Sequence, residues 1–210
     1  MTRSELCEEQ SGYGPRRRVV VKWISSGLPT IRTNDAADRR QSMLRRGMNS
    51  GRLIIICGLP GAGKTTLAKS LESRLRAVRF SPDEWMDTLD INLWDEPRRA
   101  KIEELQWTLA QQLLKLGAKV IIEWGTWGRS ERDTLRLGAR ALGAAVELHY
   151  LEVPADILFE RIRQRGLEEP PIERHHVQRW YDAFQAPISE EMELFDAPLY
   201  QGQQCEKHSK

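Results

Sequence analysis

The chain has 210 residues, of which 40% are hydrophobic and 30% charged, a composition that can fill a folded core. Its net charge of +2 provides no whole-molecule attraction to nucleic acid or to a membrane. The cysteines Cys7, Cys57 and Cys205 lie far apart without a CxxC pair, which argues against a disulfide framework or a zinc site. Apolar runs are much shorter than a membrane span, and we expect a cytoplasmic protein with no membrane partner.

The first 47 residues differ in composition from the rest of the chain. Residues 1–50 contain ten Lys and Arg against five Asp and Glu, whereas residues 51–210 have a net charge of −3. The glycines, prolines and basic residues of 1–47 predict either a disordered extension or an arm that docks on the main domain. We expect one folded domain at residues 48–200 and a flexible tail at 201–210.

Beyond residue 51, short apolar runs alternate with helical patterns. Four runs predict buried strands, at 52–57, 77–80, 118–124 and 145–153. Four patterns predict helices, at 64–75, 97–116, 130–143 and 154–166. This alternation predicts an α/β fold with a parallel sheet that is covered by helices on both faces.

Two of the helices carry more detailed signals. At 97–116, apolar residues recur at spacings of three and four, which predicts a buried face formed by Ile102, Leu105, Leu109, Leu113 and Leu116. Ser130 with Asp133 three residues later predicts a variant capping box at the start of the following helix.

The segment GLPGAGKTT fits the pattern G-x-x-x-x-G-K-[ST] and lies between an apolar strand and a helix. Its glycines allow backbone N–H groups to surround phosphate oxygens, and the helix adds its positive N-terminal end. The segment therefore predicts a nucleoside triphosphate site at Gly58, Pro60, Gly61, Ala62, Gly63, Lys64, Thr65 and Thr66. Lys64 would contact the β- and γ-phosphates and the Thr65 hydroxyl would bind Mg²⁺, so we expect ATP and Mg²⁺ as the cofactors.

Three further segments follow this P-loop in order. Asp83 comes after the second strand in SPDEW, a polar turn and helix follow the third strand in IIEWGTWGRSERD, and an arginine-rich helix follows the fourth strand in VPADILFERIRQRG. With these segments, residues 52–185 resemble the small P-loop kinases related to polynucleotide kinase, chloramphenicol phosphotransferase and zeta toxin. The P-loop is a specific signal, whereas each of the other three is weak alone. The resemblance implies a P-loop NTPase fold with an arginine-rich lid helix, and phosphoryl transfer to a hydroxyl group.

The resemblance also implies roles for individual residues. Asp83 corresponds to the general base that deprotonates the acceptor hydroxyl, although SPDEW also fits a helix N-cap. Arg161 and Arg165, four residues apart on one helix face, correspond to lid arginines that clamp the transferring phosphate, the alternative being a solvated basic face. Glu123 stands where related kinases often have Asp, and would hold either a Mg²⁺-bound water or the acceptor.

The acceptor side of the predicted site is rich in tryptophan. Of seven tryptophans, four lie near it in the sequence: Trp85, Trp94, Trp124 and Trp127. Such rings stack on a nucleobase or a sugar, or pack into the core as we expect for Trp107. The candidate acceptor residues are Trp85, Glu123, Trp127 and Arg129. Arg129 and Arg132 either contact the acceptor or cover their helix.

The sequence thus predicts an ATP- and Mg²⁺-dependent kinase whose partner is a small-molecule hydroxyl acceptor, such as a sugar, an aminosugar or an antibiotic-like compound. A polynucleotide 5′-hydroxyl kinase is the first alternative, which the basic residues of 1–47 favour and the net charge of −3 over residues 51–210 disfavours. A nucleotide-binding switch with slow ATP hydrolysis is the second, and an acid such as Asp83 argues against it because a switch needs no acceptor base.

Overall fold

The computed structural model describes residues 50–166 and 171–200, so the expectations for residues 1–47 and 201–210 lie outside the described residues. The elements in chain order are β1 Arg52–Cys57, α1 Lys64–Leu75, β2 Val78–Phe80, α2 Pro82–Thr88, α3 Glu96–Lys115, β3 Lys119–Gly125, α4 Arg129–Ala141, β4 Ala145–Tyr150, α5 Ala155–Arg165, α6 Arg174–Ala183 and α7 Ser189–Met192. All four predicted strands and all four predicted helices are present within a few residues of their expected bounds.

The four strands form one parallel sheet in the order β2-β3-β1-β4. Because the strands are parallel, their carboxyl ends meet at a single edge, where ligands bind in folds of this kind. We call this the carboxyl edge. The connection that follows β1, near the centre of the sheet, is the glycine-rich segment of residues 58–63. This α/β arrangement confirms the predicted fold class.

Helices cover both faces of the sheet. One face carries Leu53, Ile55 and Ile122, which pack with residues of α3 and α4. The other face carries Ile54 and Ile121, which pack against α1. Strands buried on both faces need apolar residues at nearly every position, which is why LIII in β1 and VII in β3 are continuous apolar runs.

A third hydrophobic cluster joins α5 and α6 to the glycine-rich segment. Its buried members are Leu59, Ala62, Leu158, Ile162, Val177 and Trp180. This cluster packs the arginine-rich helix directly against the loop that follows β1, so the loop is covered by α5 on one side.

Two detailed expectations were wrong. The buried residues of α3 are Ile102, Gln106, Trp107, Ala110 and Leu114. Leu105 is 52% exposed and Leu116 is 82% exposed, so neither belongs to the buried face of the helix. The helix is rotated because buried Gln106 accepts a hydrogen bond from the Trp124 indole at 2.8 Å, and because Trp107 enters the core as expected.

The predicted capping box of α4 is also absent. The N-cap is Gly128, and no side chain caps the helix. Asp133 instead accepts a hydrogen bond from Arg136 at 2.8 Å and pairs with Arg129 at 3.7 Å, so its carboxylate is engaged along the helix surface.

Among the helices of the described residues, none combines the length and the apolar character that a membrane span requires.

Candidate active site

The glycine-rich segment leads from β1 into the first turn of α1. Gly63 is the N-cap of α1 with a φ of 97°, and a Cβ built on it would meet no described atom within 4 Å. The first turn of α1 contains no acidic residue. The start of α1 therefore combines open space at its N-cap glycine with the absence of an acidic side chain in its first turn, an arrangement that suits an anion such as a phosphate.

The side chains of the P-loop fit a triphosphate with a bound Mg²⁺. The Lys64 ammonium donates a hydrogen bond to the Leu59 carbonyl at 3.0 Å, so it lies over the loop that would surround the phosphates. Thr65 and Thr66 are exposed in the first turn of α1, where a hydroxyl can reach a cation. The described residues contain no group of three His, Cys, Asp or Glu able to hold a metal, and Mg²⁺ usually binds through phosphates and few protein ligands.

Helix α5 contacts the P-loop at Gly61. Its Arg161 Nη1 donates to the Gly61 carbonyl at 3.3 Å. A Cβ on Gly61 would lie 3.1 Å from Ile162 Cγ1 and 3.2 Å from the Leu158 carbonyl, so a larger residue there would push α5 outward. Arg165 is exposed at the last position of α5, one turn beyond Arg161. The structure thus brings Arg161 to the P-loop, and phosphate contact by Arg165 remains a prediction.

Asp83 lies in the first turn of α2, immediately beyond the carboxyl end of β2. The N-cap of this helix is Ser81, so the alternative that Asp83 is the N-cap is wrong. Its Oδ1 accepts a hydrogen bond from Arg99 Nη2 of α3 at 2.5 Å. The Asp83 side chain is 65% exposed, whereas Arg99 is 13% exposed. Arg99 therefore anchors one oxygen of the carboxylate, while most of the Asp83 side chain is exposed to solvent.

Glu123 is buried near the carboxyl end of β3. Its Oε1 accepts from Arg79 Nη1 at 2.5 Å, and its Oε2 is buried without a hydrogen-bond partner among the described residues. Burial raises the pKa of Glu123, while the Ser81 hydroxyl and the Arg79 guanidinium act to lower it. An oxygen in this state suits a donor that comes with the ligands, such as a Mg²⁺-bound water or an acceptor hydroxyl.

The end of β3 is linked to the start of the P-loop. Gly125 is the register partner of Cys57, and its carbonyl accepts from the Gly58 N–H at 3.4 Å. Glu123 lies two residues before this contact on a neighbouring strand. The buried carboxylate, the P-loop and Asp83 therefore share the carboxyl edge of the sheet.

Residues 53–187, more than half of the chain, match the AAA domain family. The chain belongs to this family of P-loop kinases. Its parallel sheet and helices are those of the P-loop NTPase fold, which confirms the resemblance of the sequence to small P-loop kinases.

Solved structures agree with the fold of the AAA domain. A proposed kinase from Chloroflexus aurantiacus J-10-fl is 24% identical, with a TM-score of 0.53 over 66% of this chain and 82% of that chain. A chain of the Pnkp1/Rnl/Hen1 RNA repair complex is 21% identical, with a TM-score of 0.56 over 70% of this chain and 47% of that chain. Chaetomium thermophilum Kti12, in complex with ADP-AlF3, is 19% identical, with a TM-score of 0.51 over 66% of this chain and 82% of that chain.

The tryptophans near the acceptor side of the AAA domain take part in packing. Trp85 meets Phe80 edge to face with ring centroids 6.1 Å apart, and both Trp85 and Trp124 pack against the main core while remaining partly exposed. Trp127 meets Trp180 edge to face, with ring centroids 6.3 Å apart, in the third hydrophobic cluster, which joins α5 and α6 to the glycine-rich segment. Only the exposed part of each ring is available to an acceptor, and acceptor contact by Trp85 or Trp127 stays a prediction.

The two arginines of α4 have different surroundings. Arg129 is exposed at the helix start, where its backbone N–H donates to Gln185 Oε1 at 3.0 Å. Arg132 is fully buried, and its guanidinium donates to the Glu191 carboxylate at 2.6 and 2.9 Å. Both alternatives for Arg132, acceptor contact and helix cover, are therefore wrong. The buried guanidinium forms an ion pair that joins α4 to α7. Arg129 remains a candidate acceptor residue.

Proposed function

We propose that the protein is an ATP- and Mg²⁺-dependent phosphotransferase that moves the γ-phosphate to a hydroxyl group of a small molecule, such as a sugar, an aminosugar or an antibiotic-like compound. The observation that carries this proposal is the solvent-facing Asp83 carboxylate, 65% exposed and held by Arg99, on the same edge of the sheet as the P-loop. The proposed kinase from Chloroflexus aurantiacus agrees with this class of activity.

In the proposed reaction, the acceptor oxygen forms a bond to the γ-phosphorus as the bond to the β,γ-bridging oxygen breaks and ADP leaves. The Asp83 carboxylate accepts the proton of the attacking hydroxyl. General base assistance of this kind contributes a factor of roughly 10² to 10⁴ in rate. The remaining work is positioning and charge neutralisation, because phosphoryl transfer needs little covalent chemistry from the protein.

Three basic groups of the P-loop side would bind the phosphates. Lys64 would exchange the Leu59 carbonyl for oxygens of the β- and γ-phosphates, and Arg161 would exchange the Gly61 carbonyl for an oxygen of the γ-phosphate. Arg165, one turn further along α5, would contact the same triphosphate. The Thr65 hydroxyl would hold Mg²⁺, which supplies positive charge at the phosphate oxygens when bound.

The charge of the acceptor side supports a small molecule over a polynucleotide. Residues 80–97 contain six acidic residues and no Lys, Arg or His: the acids are Asp83, Glu84, Asp87, Asp90, Asp95 and Glu96. Four basic side chains from outside this segment pair with carboxylates in it and offset part of its six negative charges: Lys69 and Arg79 pair with Glu84, Arg98 with Asp95, and Arg99 with Asp83. The phosphates of a polynucleotide would be repelled at such a surface, whereas a neutral or cationic alcohol would not.

An acceptor screen with γ-labelled ATP and Mg²⁺ tests the proposal. The full chain is incubated with neutral sugars, with aminosugars and aminoglycosides, and with an oligonucleotide that carries a 5′-hydroxyl. We expect at least one small molecule to become labelled by the wild-type chain, and no acceptor to become labelled in any reaction with the Lys64→Ala variant. Label at the end of the oligonucleotide would make the protein a polynucleotide kinase. Release of labelled phosphate into water, with no labelled acceptor, would favour a nucleotide switch.

A further inference from the structure

The Arg79 guanidinium contacts carboxylates from three separate elements. Its Nε donates to Glu72 Oε2 of α1 at 3.0 Å. Its Nη2 donates to Glu84 Oε2 of α2 at 2.6 Å, and its Nη1 donates to Glu123 Oε1 of β3 at 2.5 Å. Each of the three guanidinium nitrogens thus contacts a different carboxylate, and the Arg79 side chain is only 9% exposed. We call Arg79 and these three glutamates the Arg79 junction.

The three elements joined at the Arg79 junction each carry part of the candidate active site. Helix α1 begins at the P-loop lysine, α2 contains Asp83 next to Glu84, and β3 ends beside the first residue of the P-loop. A guanidinium is planar and presents its N–H groups in fixed directions, so contacts made by all three nitrogens fix the relative orientation of the three elements. A lysine ammonium is a compact point charge on a flexible stem and does not reproduce this fork.

The three carboxylates of the Arg79 junction differ in their exposure to water. The Glu72 and Glu84 side chains are 41% and 45% exposed, and Glu84 also pairs with Lys69 of α1 at 3.2 Å. The Glu123 side chain is only 2% exposed. Water screens the two outer contacts, whereas the inner contact lies between two side chains that are shielded from water.

We propose that Arg79 is a positioning residue of the phosphotransferase site, which holds the Glu123 carboxylate at the end of β3 and fixes α2, with Asp83, relative to the P-loop helix α1. This inference rests on the proposed function. It gives Glu123 an Oε1 that is oriented by Arg79, while Oε2 stays buried without a hydrogen-bond partner among the described residues. It also gives a role to the arginine in the middle of the three-residue strand β2.

Ionisation of Glu123 gives this proposal a measurable signature. Burial raises the pKa of Glu123, and the Ser81 hydroxyl and Arg79 act to lower it. The other charged groups of the surrounding elements are Glu84 of α2, which raises the pKa, and the α1 residues Glu72 and Lys69 that complete the network. On the β1 side, the sheet face carries isoleucines. Removal of Arg79 therefore raises the pKa of Glu123 further, so that Glu123 takes up its proton at higher pH.

The test compares Arg79→Met and Arg79→Lys with the wild-type chain. Arg136→Met is the matched control, because Arg136 is 16% exposed and pairs with Asp133 at 2.8 Å on α4, two helical turns beyond the candidate acceptor residue Arg129. The Glu123 carboxyl carbon is titrated by ¹³C NMR, with Glu123→Gln for the assignment, and kcat and kcat/KM are measured against pH. We expect Arg79→Met to raise the pKa of Glu123 and to move the acid limb of kcat/KM to higher pH with it.

Further results distinguish positioning from a merely structural role. We expect kcat to fall in Arg79→Met and in Arg79→Lys while KM for ATP changes little, and we expect Arg136→Met to behave as wild type. An unchanged Glu123 titration in both Arg79 variants overturns the proposal, as does a shifted titration without a shifted acid limb. If Arg79→Met does not fold, the two single variants Arg79→Lys and Glu84→Gln provide the comparison. A wild-type chain that phosphorylates no acceptor contradicts the proposed function instead, and the titration remains measurable in that case.

Discussion

Arg99 Nη2 lies 2.5 Å from Asp83 Oδ1 and thereby joins α3 to the first turn of α2 at the carboxyl edge. Asp83 is largely exposed, so water screens this ion pair and its contribution to stability is about 1 kcal/mol or less. Its physical effect is on orientation, because an arginine anchored on a long helix restricts where the carboxylate points. In the proposed reaction, a carboxylate held in this way accepts the proton of a hydroxyl group that arrives from solvent.

Replacing Asp83 by Asn should separate catalysis from nucleotide binding. The amide keeps the shape of the carboxylate but accepts no proton, so acceptor phosphorylation should fall by roughly 10²-fold or more. ATP affinity, measured by titration calorimetry, should stay close to that of the wild type. Asp87→Asn is the control, since Asp87 is an exposed acid on the same helix. Loss of ATP affinity with retained turnover would identify Asp83 as a metal-binding or structural residue.

Lys64→Ala should abolish transfer, because it removes the cation that reaches the β- and γ-phosphates. The chain should still fold, because Lys64 is only partly buried and the loss of its hydrogen bond to the Leu59 carbonyl should cost little stability. Lys115→Ala, at the exposed end of α3, controls for the loss of one positive charge. Near-normal turnover by Lys64→Ala, measured as ADP formed, would contradict the P-loop assignment.

Gly61→Ala should weaken ATP binding through the position of α5. The new Cβ would lie 3.1 Å from Ile162 and 3.2 Å from the Leu158 carbonyl, at a residue with a φ of 81°. Gly143→Ala is a matched control, because Gly143 has a φ of 76° and its Cβ would meet no described atom within 4 Å. Both variants carry a similar backbone strain of about 1 kcal/mol, and only Gly61→Ala adds overpacking of about 1 to 3 kcal/mol.

The outcome is measured as the melting temperature and the ATP affinity of both variants. Gly143→Ala should lose some stability and bind ATP like the wild type, whereas Gly61→Ala should lose both stability and affinity. Equal ATP affinity in the two variants would mean that contact between α5 and the P-loop does not matter for nucleotide binding.

The buried Glu147 of β4 should make stability depend on pH. Burial alone would raise its pKa, but hydrogen bonds from His149, the Leu199 N–H and Arg52 outweigh burial and hold the pKa of Glu147 below its usual value. A carboxyl whose pKa is lowered by folding stabilises the protein above its unfolded pKa, and that stability is lost as the pH falls through the folded pKa. Glu147→Gln should therefore be less stable than wild type at pH 7.

Denaturant unfolding at neutral pH and at about pH 4 checks this prediction. The difference between wild type and Glu147→Gln should shrink at the lower pH, because the carboxyl of the unfolded chain begins to take up a proton there while the folded carboxyl, with its lower pKa, does not. Glu104→Gln, an exposed residue of α3, should change little at either pH. A difference that grows as the pH falls would contradict the direction of the pKa shift.

The strands, the P-loop and the place of Asp83 follow from local sequence patterns, and these expectations agree with the structure. The contacts of Arg79 and Arg99 do not follow from them. Arg79 bonds to carboxylates at positions 72, 84 and 123, and Arg99 bonds to Asp83 sixteen residues away, so no local pattern connects the partners. The one available signal was a cation inside the short strand Val78–Phe80, where an apolar residue is usual.

Long-range partners also explain the incorrect expectations. Arg132 looked like a surface residue of α4 because its partner Glu191 lies fifty-nine residues further along the chain. The leucine pattern of α3 misplaced its buried face because the polar Gln106 is turned inward by the Trp124 indole of a neighbouring strand. In both cases a buried polar group is stabilised by a partner that only the folded chain supplies.

The most direct test of the account follows phosphorus by ³¹P NMR in a reaction of the full chain with ATP, Mg²⁺ and an acceptor found in the screen. A new phosphomonoester resonance should grow together with ADP in equal amounts, and it should be almost absent with Asp83→Asn under conditions where that variant still binds ATP. If wild type and Asp83→Asn instead release inorganic phosphate at equal rates and form no phosphomonoester, phosphoryl transfer to a hydroxyl group with Asp83 as the base is contradicted.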